Sequence, residues 1–133
     1  MAKTEKAKIG EGDVLIELGD DKITLTPTPY ALKMLSRQGG GIPGMVQRCL
    51  NYEFDSIMLV IQIGGNLNAR QMERYDVETK VFRYGMNRIA PLVIRYLGTL
   101  SNGGKPLPDG DEEESDGADR ADREEEEAGP LGG

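Results

Sequence analysis

One stretch of this sequence, residues 109–127, is too acidic to fold into a packed core. It holds twelve of the 23 acidic residues but only two of the 16 basic ones, so its formal charge is −10 in a chain of net charge −7. A segment with so many like charges and so few apolar side chains stays disordered in water. We therefore expect a flexible arm over residues 1–12, one folded domain over residues 13–104, and a disordered acidic tail over residues 105–133.

The residue types that are scarce exclude several classes of function. With no His and one Cys, the chain cannot supply a tetrahedral zinc site, a Ser-His-Asp triad or an internal disulfide. The most apolar segment, residues 57–63, is far shorter than the roughly 20 residues that span a bilayer. The charged first residues lack the apolar region of a signal peptide. The composition favours a soluble intracellular protein without cofactors that binds other molecules and is not an enzyme.

Alternating apolar residues after the arm predict a β-hairpin over residues 13–27. The polar residues 19–22 supply its turn. The apolar residues that share one face of the two strands are Val14, Ile16, Leu18, Ile23 and Leu25.

Helical patterns follow the hairpin. Thr28 is expected to cap a first helix that begins at Pro29 and ends before the glycines of residues 39–41. A second helix is expected over residues 43–51. Asp55 is expected to cap a third helix, which is apolar on nearly every side and must be buried centrally or covered by a partner.

Residues 66–75 are polar and predict a short helix or a loop, and a long apolar pattern then runs from Asp76 to Leu100. Pro91 inside that pattern predicts a kink or two helices that meet near residues 88–90. The expected fold class is therefore α+β, with an N-terminal β-hairpin followed by a small bundle of four or five helices and a disordered acidic C-terminal tail.

The features that suggest ligand sites have simpler structural explanations. The glycines of residues 39–44 lack the Lys-Ser/Thr of a phosphate-binding loop and indicate a hinge or a helix break. Basic residues are scattered through the C-terminal half without stacking aromatics beside them, which argues against nucleic acid as the partner. The acidic tail either keeps the protein soluble or competes with outside ligands for this basic face.

Methionines point instead to an adaptable apolar surface that binds another polypeptide. Tyr30 and Tyr52 are expected in the core or at its edge. The methionines that suggest the adaptable surface, together with the apolar third helix, are Met34, Met45, Met58, Met72 and Met86.

Two segments carry a resemblance to a known family. They read GEGDVLIELGDDKITLTPTPYAL (residues 10–32) and YEFDSI (residues 52–57), and an apolar helix that ends at Gly64 and Gly65 follows the second. In this order of a strand pair, a helix with alanine and leucine, and a bundle, residues 10–100 resemble the tail assembly chaperones of gene transfer agents and long-tailed siphophages.

The resemblance implies a non-enzymatic role in virion assembly in the host bacterial cytoplasm. Such chaperones coat the long, helical tape measure protein before the tail tube forms, keep it soluble, help recruit tail tube subunits, and are absent from the finished particle. The implied partners are the tape measure protein and the tail tube protein. Self-association stays open, and no membrane is involved.

The residues expected to contact the partner lie on the third helix and in the C-terminal apolar pattern. They are Ile57, Met58, Ile61, Met86, Ile89 and Val93. Two other functions stay open as alternatives: an acidic-tailed regulator that associates with nucleic acid or mimics DNA, and a minor structural tail protein.

Overall fold

The structure, a computed structural model, describes residues 10–107. The expected arm and acidic tail lie outside the described residues, apart from residues 10–12 and 105–107. The elements in chain order are β1 (Val14–Leu18), β2 (Asp21–Leu25), α1 (Pro29–Ser36), α2 (Gly41–Leu50), α3 (Phe54–Gly64), α4 (Ala69–Arg74), α5 (Val77–Tyr84) and α6 (Met86–Ser101). The expected α+β class, a hairpin followed by a helical bundle, is confirmed.

The hairpin forms in the expected register. β1 and β2 pair in antiparallel fashion with Ile16 opposite Ile23, and the inward side chains of both strands are buried. The turn is shorter than the expected residues 19–22, because the strands pair as far as Leu18 and Asp21. Two residues are left to connect them.

α1 begins where the sequence predicts. Thr28 Oγ1 accepts a hydrogen bond from the Ala31 backbone N–H at 3.0 Å, and Pro29 occupies the first position, where a missing N–H has no cost. Ala31 and Leu35 are buried, whereas Leu32 faces solvent.

The glycine-rich segment after α1 is a helix break. α1 ends at Ser36 and α2 begins at Gly41, two residues before the expected start. The Arg48 guanidinium of α2 donates a hydrogen bond to the Gly39 carbonyl at 2.8 Å. This bond closes the segment against α2 and explains it as a structural joint.

The expected cap of α3 is wrong. Asp55 lies inside the first turn of α3, and Glu53 occupies the N-cap position. The Glu53 carboxylate accepts a hydrogen bond from the Ser56 hydroxyl and stands 3.6 Å from Nε of Arg48. These two contacts hold Glu53 at the start of the helix, so α3 begins at Phe54.

The described bundle has six helices, one more than the upper expected number of five, and the joint in its C-terminal half lies earlier than expected. α4 forms because Asn68 and Gln71 make a reciprocal capping box, with bonds of 2.8 and 2.9 Å. α5 and α6 meet at Gly85, before the expected residues 88–90, since Gly85 has a φ of +107° that residues with a Cβ rarely adopt. Pro91 lies exposed inside α6, where water can bond the carbonyl that it leaves unpaired.

α3 is the centre of the domain. It contacts α1, α2, α6 and β2, and Ile57, Val60 and Ile61 have no exposed surface. Each such side chain stabilises the fold by about 1.5–3 kcal/mol on burial. The apolar character of α3 on nearly every side is therefore explained by burial within this chain.

A single junction ties the hairpin to α3 and α6. The Thr26 N–H donates to the Gly64 carbonyl at 3.0 Å, and the Tyr96 hydroxyl donates to the Thr26 carbonyl at 2.8 Å. The Tyr96 ring lies against Gly64, where a Cβ would stand 2.8 Å from Cε2 of the ring. Burial, and to a smaller extent the charge of Asp13, raises the pKa of Tyr96 above its ordinary value, so the hydroxyl remains a donor.

Gly64→Ala should destabilise the domain, because α3 and the Tyr96 ring leave no room for a methyl group. We expect a loss of about 1–3 kcal/mol in the free energy of unfolding, as for overpacking of a core, measured by urea denaturation. Gly39→Ala is the matched control, since its added Cβ would be 4.0 Å from the nearest atom, and its change should stay within about 0.5 kcal/mol. Equal losses in the two variants would contradict the close packing at Gly64.

Tyr96→Phe should change the pH dependence of stability. Because folding raises the pKa of Tyr96, this residue stabilises the folded state below its ordinary pKa of about 10 and loses that contribution as the pH rises beyond it. Above that pH the wild type should lose more unfolding free energy than the variant. At neutral pH the variant should be less stable by about 0.5–1.5 kcal/mol through the lost hydrogen bond. Urea denaturation at neutral and alkaline pH measures both effects. If the unfolding free energies of wild type and variant changed equally with pH, the predicted pH dependence would be wrong.

Candidate partner-binding surface

The structure brings the expected partner-binding residues together, but in the core. Met58 is 7% exposed, and Met86 is half-buried against the same core. The other four have no exposed surface and are Ile57, Ile61, Ile89 and Val93. The reason is that α3 and α6 pack against each other, so their apolar sides cover one another. A partner that binds the folded domain can reach only Met58 and Met86 of this set.

Met58 lies at the edge of a groove of about 490 Å³ between α3, α4 and the start of α5, which we call the methionine groove. Leu59 of α3 and Met72 of α4 supply further apolar side chains. Four exposed acidic residues also line it, namely Asp55, Glu73, Asp76 and Glu78. The groove therefore combines apolar side chains of α3 and α4 with four exposed carboxylates, which we call its acidic rim.

Helical spacing places these side chains on one side of each helix. The α3 residues that line the groove stand three and four positions apart and are Asp55, Met58, Leu59 and Gln62. The α4 residues follow the same spacing and are Ala69, Met72 and Glu73. α4 returns beside α3 because the chain turns at Asn66, which has a φ of +55°, and the Asn68 cap then starts the helix.

The groove carboxylates have no basic partner within residues 10–107. The ion pairs of that range join Arg48 to Glu53 and Lys80 to Asp21, and none of these residues lines the groove. The same range contains no group of three or more His, Cys, Asp or Glu that could hold a metal ion. Apolar side chains beside unpaired carboxylates suit a ligand that is apolar on one side and basic at its edges.

An exposed phenylalanine lies near this groove. Phe82 is 75% exposed, more than any other large hydrophobic side chain of the described range. It stands one helical turn after Glu78 on α5, so the two residues share one side of that helix. A large exposed aromatic beside a groove is typical of a protein-binding surface.

Leu59 and Phe82 were not expected at a binding surface from the sequence, and Met72 was expected there only as one of several methionines. It also expected Tyr30 and Tyr52 in or beside the core, and this was wrong, since they are 58% and 50% exposed. Spacing along α3 and α4 could have indicated a shared face in each helix. Nothing in that spacing shows that α4 folds back beside α3, because the turn between them decides it.

The single cysteine lies outside this surface. Cys49 is buried in the core, and burial raises its pKa to about 11. Its thiol is therefore protonated at neutral pH, and this form reacts poorly with electrophiles.

A second groove, of about 750 Å³, runs along the outer side of α6, and we call it the α6 groove. Arg95 lines it on the side of α6, and Glu11 and Asp13 line it on the side of the N-terminal segment. It shares no lining residue with the methionine groove. Its apolar side chains are Val14, Leu50, Pro91, Ile94, Pro106 and Leu107.

Within residues 10–107, no helix combines the length and the apolar character needed to cross a bilayer. Comparisons of the whole chain with protein-family models, with curated proteins and with solved structures gave no match.

Proposed function

We propose that this protein is a non-enzymatic tail assembly chaperone that binds the tape measure protein, keeps it soluble and helps recruit tail tube subunits. The observation that carries the proposal is the methionine groove, with its methionine and leucine side chains, its unpaired acidic rim and the exposed Phe82 near it. The resemblance of residues 10–100 to such chaperones supplies the identity of the partner.

The groove fits the apolar side of a helix. A partner helix lays apolar side chains, three and four residues apart, into a groove of this kind. Methionine side chains are flexible and polarisable, so Met58 and Met72 can adapt to different apolar sequences. A chaperone that coats one long helical protein at many places needs this tolerance. Many weak sites along a single partner then bind with high total avidity.

The acidic rim adds a preference among helices. Asp55, Glu73, Asp76 and Glu78 favour a partner whose apolar stripe is flanked by lysine or arginine. The same rim repels phosphate groups, which disfavours nucleic acid as the ligand of this groove. We therefore expect the bound segments of the tape measure protein to be amphipathic and basic at the edges of their apolar stripe.

The proposal places the protein in the host bacterial cytoplasm during assembly and outside the finished particle. Stoichiometric presence of the chain in purified particles would instead support a minor structural tail protein. Competition with nucleic acid that depends on residues 109–127 would support the acidic-tailed regulator.

Phe82→Glu and Met72→Glu should each weaken binding of the tape measure protein. Both changes replace an apolar side chain of the proposed contact with a carboxylate, and at Met72 the new charge joins the carboxylates that already line the groove. We expect the affinity for the tape measure protein to fall by about tenfold or more, as it does when a side chain that anchors an interface is removed. The measurement is the soluble fraction of the tape measure protein encoded beside this chain when the two are co-expressed.

Leu32→Glu is the matched control, because Leu32 is 38% exposed on α1 and lines neither the methionine groove nor the α6 groove. It should leave the soluble fraction unchanged, and urea denaturation of all three variants checks that each remains folded. A tape measure protein that is equally soluble without this chain would refute the chaperone function. A loss of solubility with Leu32→Glu but not with Phe82→Glu would refute the site alone.

A further inference from the structure

The chain reverses direction after α6. The helix ends at Ser101, and Gly103 and Gly104 follow with φ values of +72° and +82°. The Asn102 side-chain amide donates to the Lys105 carbonyl at 3.2 Å. This bond holds the reversed segment against the end of the helix.

Leu107, the last residue of the described range, lies back on α6. A Cβ on Gly98 would stand 2.7 Å from Cδ1 of Leu107, so the missing side chain of Gly98 makes room for this leucine. Gly98 lies about one turn before the end of α6. The described chain therefore ends against the outer side of α6 at Gly98, and a path along this side of the helix, past Arg95, begins there.

Two arginines lie along this path. Arg95 lines the α6 groove, and Arg88 lies two turns earlier on the same side of the helix, with its guanidinium 4.7 Å from the centre of the Tyr84 ring. Both arginines are exposed, and neither forms an ion pair with a described residue. Glu11 and Asp13 line the opposite wall of the groove and repel an acidic ligand, so the attraction comes from the arginine side of α6 alone.

The residues after Leu107 match the path in length and charge. α6 rises about 15 Å between Gly98 and Arg88, at 1.5 Å per residue. An extended chain covers that distance in about five residues. The sequence that follows is PDGDEEE (residues 108–114), which carries five carboxylates.

We infer that residues 109–114 are an intramolecular ligand of the α6 groove and bind along the outer side of α6 beside Arg95 and Arg88. The ion pairs are exposed and individually weak. The short tether to Leu107 compensates, because it keeps the acidic segment at an effective concentration of about millimolar or more. The bound segment also covers apolar side chains of the groove, among them Leu50 and Ile94.

This inference is independent of the proposed chaperone function, because the two grooves share no lining residue. The carboxylates of the methionine groove repel the same acidic segment. The segment therefore binds at α6 and leaves the methionine groove free.

A spin label attached at Glu114→Cys in the full-length chain tests the inference. Cys49 stays unlabelled in the folded protein because it is buried and protonated. In NMR spectra, the amide signals around Arg88 should lose the most intensity, and the signal of Met72 should be unaffected. A loss that is greatest around Lys105 and declines evenly in every direction would show an unbound tail and overturn the inference.

Two further measurements isolate the role of charge. Arg88→Gln combined with Arg95→Gln should abolish the intensity loss around residue 88, whereas Arg37→Gln combined with Arg70→Gln, an equal change of charge elsewhere, should preserve it. NaCl at 1 M shortens the Debye length to about 3 Å. It should therefore also abolish the intensity loss around residue 88 when both arginines are present. Intensity loss around residue 88 that survives both treatments would overturn the pairing with the arginines.

Discussion

The backbone of Thr26 bonds to two helices at once, and the arrangement of the domain depends on this junction. A two-stranded hairpin is marginal in water by itself and needs its apolar face covered. The N–H of Thr26 bonds to Gly64 at the end of α3, and its carbonyl bonds to Tyr96 of α6. The Tyr96 ring against Gly64 then sets the distance between α3 and α6. Both helices are thereby held over the buried side of the sheet.

This closure decides which apolar residues remain available to a partner. Because α3 packs against α1, α2, α6 and β2, its isoleucines are shielded, and only the edge that bears Met58 and Leu59 reaches a groove. The proposed partner-binding surface is therefore a margin of the core, completed by Met72 of α4. The apolar helix α3 is buried mainly by other parts of this domain. The surface that remains exposed at its edge is small, contains methionines and is bordered by carboxylates. Such a surface suits repeated weak contacts better than one tight contact.

The hairpin and the start of α1 could be predicted from the sequence because both depend on neighbours in the chain. Alternation of apolar residues and the Thr28-Pro29 cap are local signals, and the structure confirms both. The partner-binding residues could not be predicted, because an apolar pattern shows that a helix is buried and not what buries it. Ile57 and Ile89 met every criterion for a binding anchor and are covered by this chain. The joint at Gly85 was missed for a related reason: the apolar spacing runs on through it, and the break appears only in the backbone angle.

Within the described range, the methionine groove is lined by carboxylates without a basic residue, whereas the outer side of α6 carries exposed arginines. A chain with a tail of charge −10 carries a ligand that can block any basic binding site on its own domain. The methionine groove avoids this competition because its rim is acidic, and like charges keep the tail away. In the arrangement that we infer, Arg88 and Arg95 attract residues 109–114 to the outer side of α6, against which Leu107 already lies. The acidic tail therefore does not compete for the methionine groove. A partner whose apolar stripe is flanked by basic residues can bind the groove in the presence of the tail.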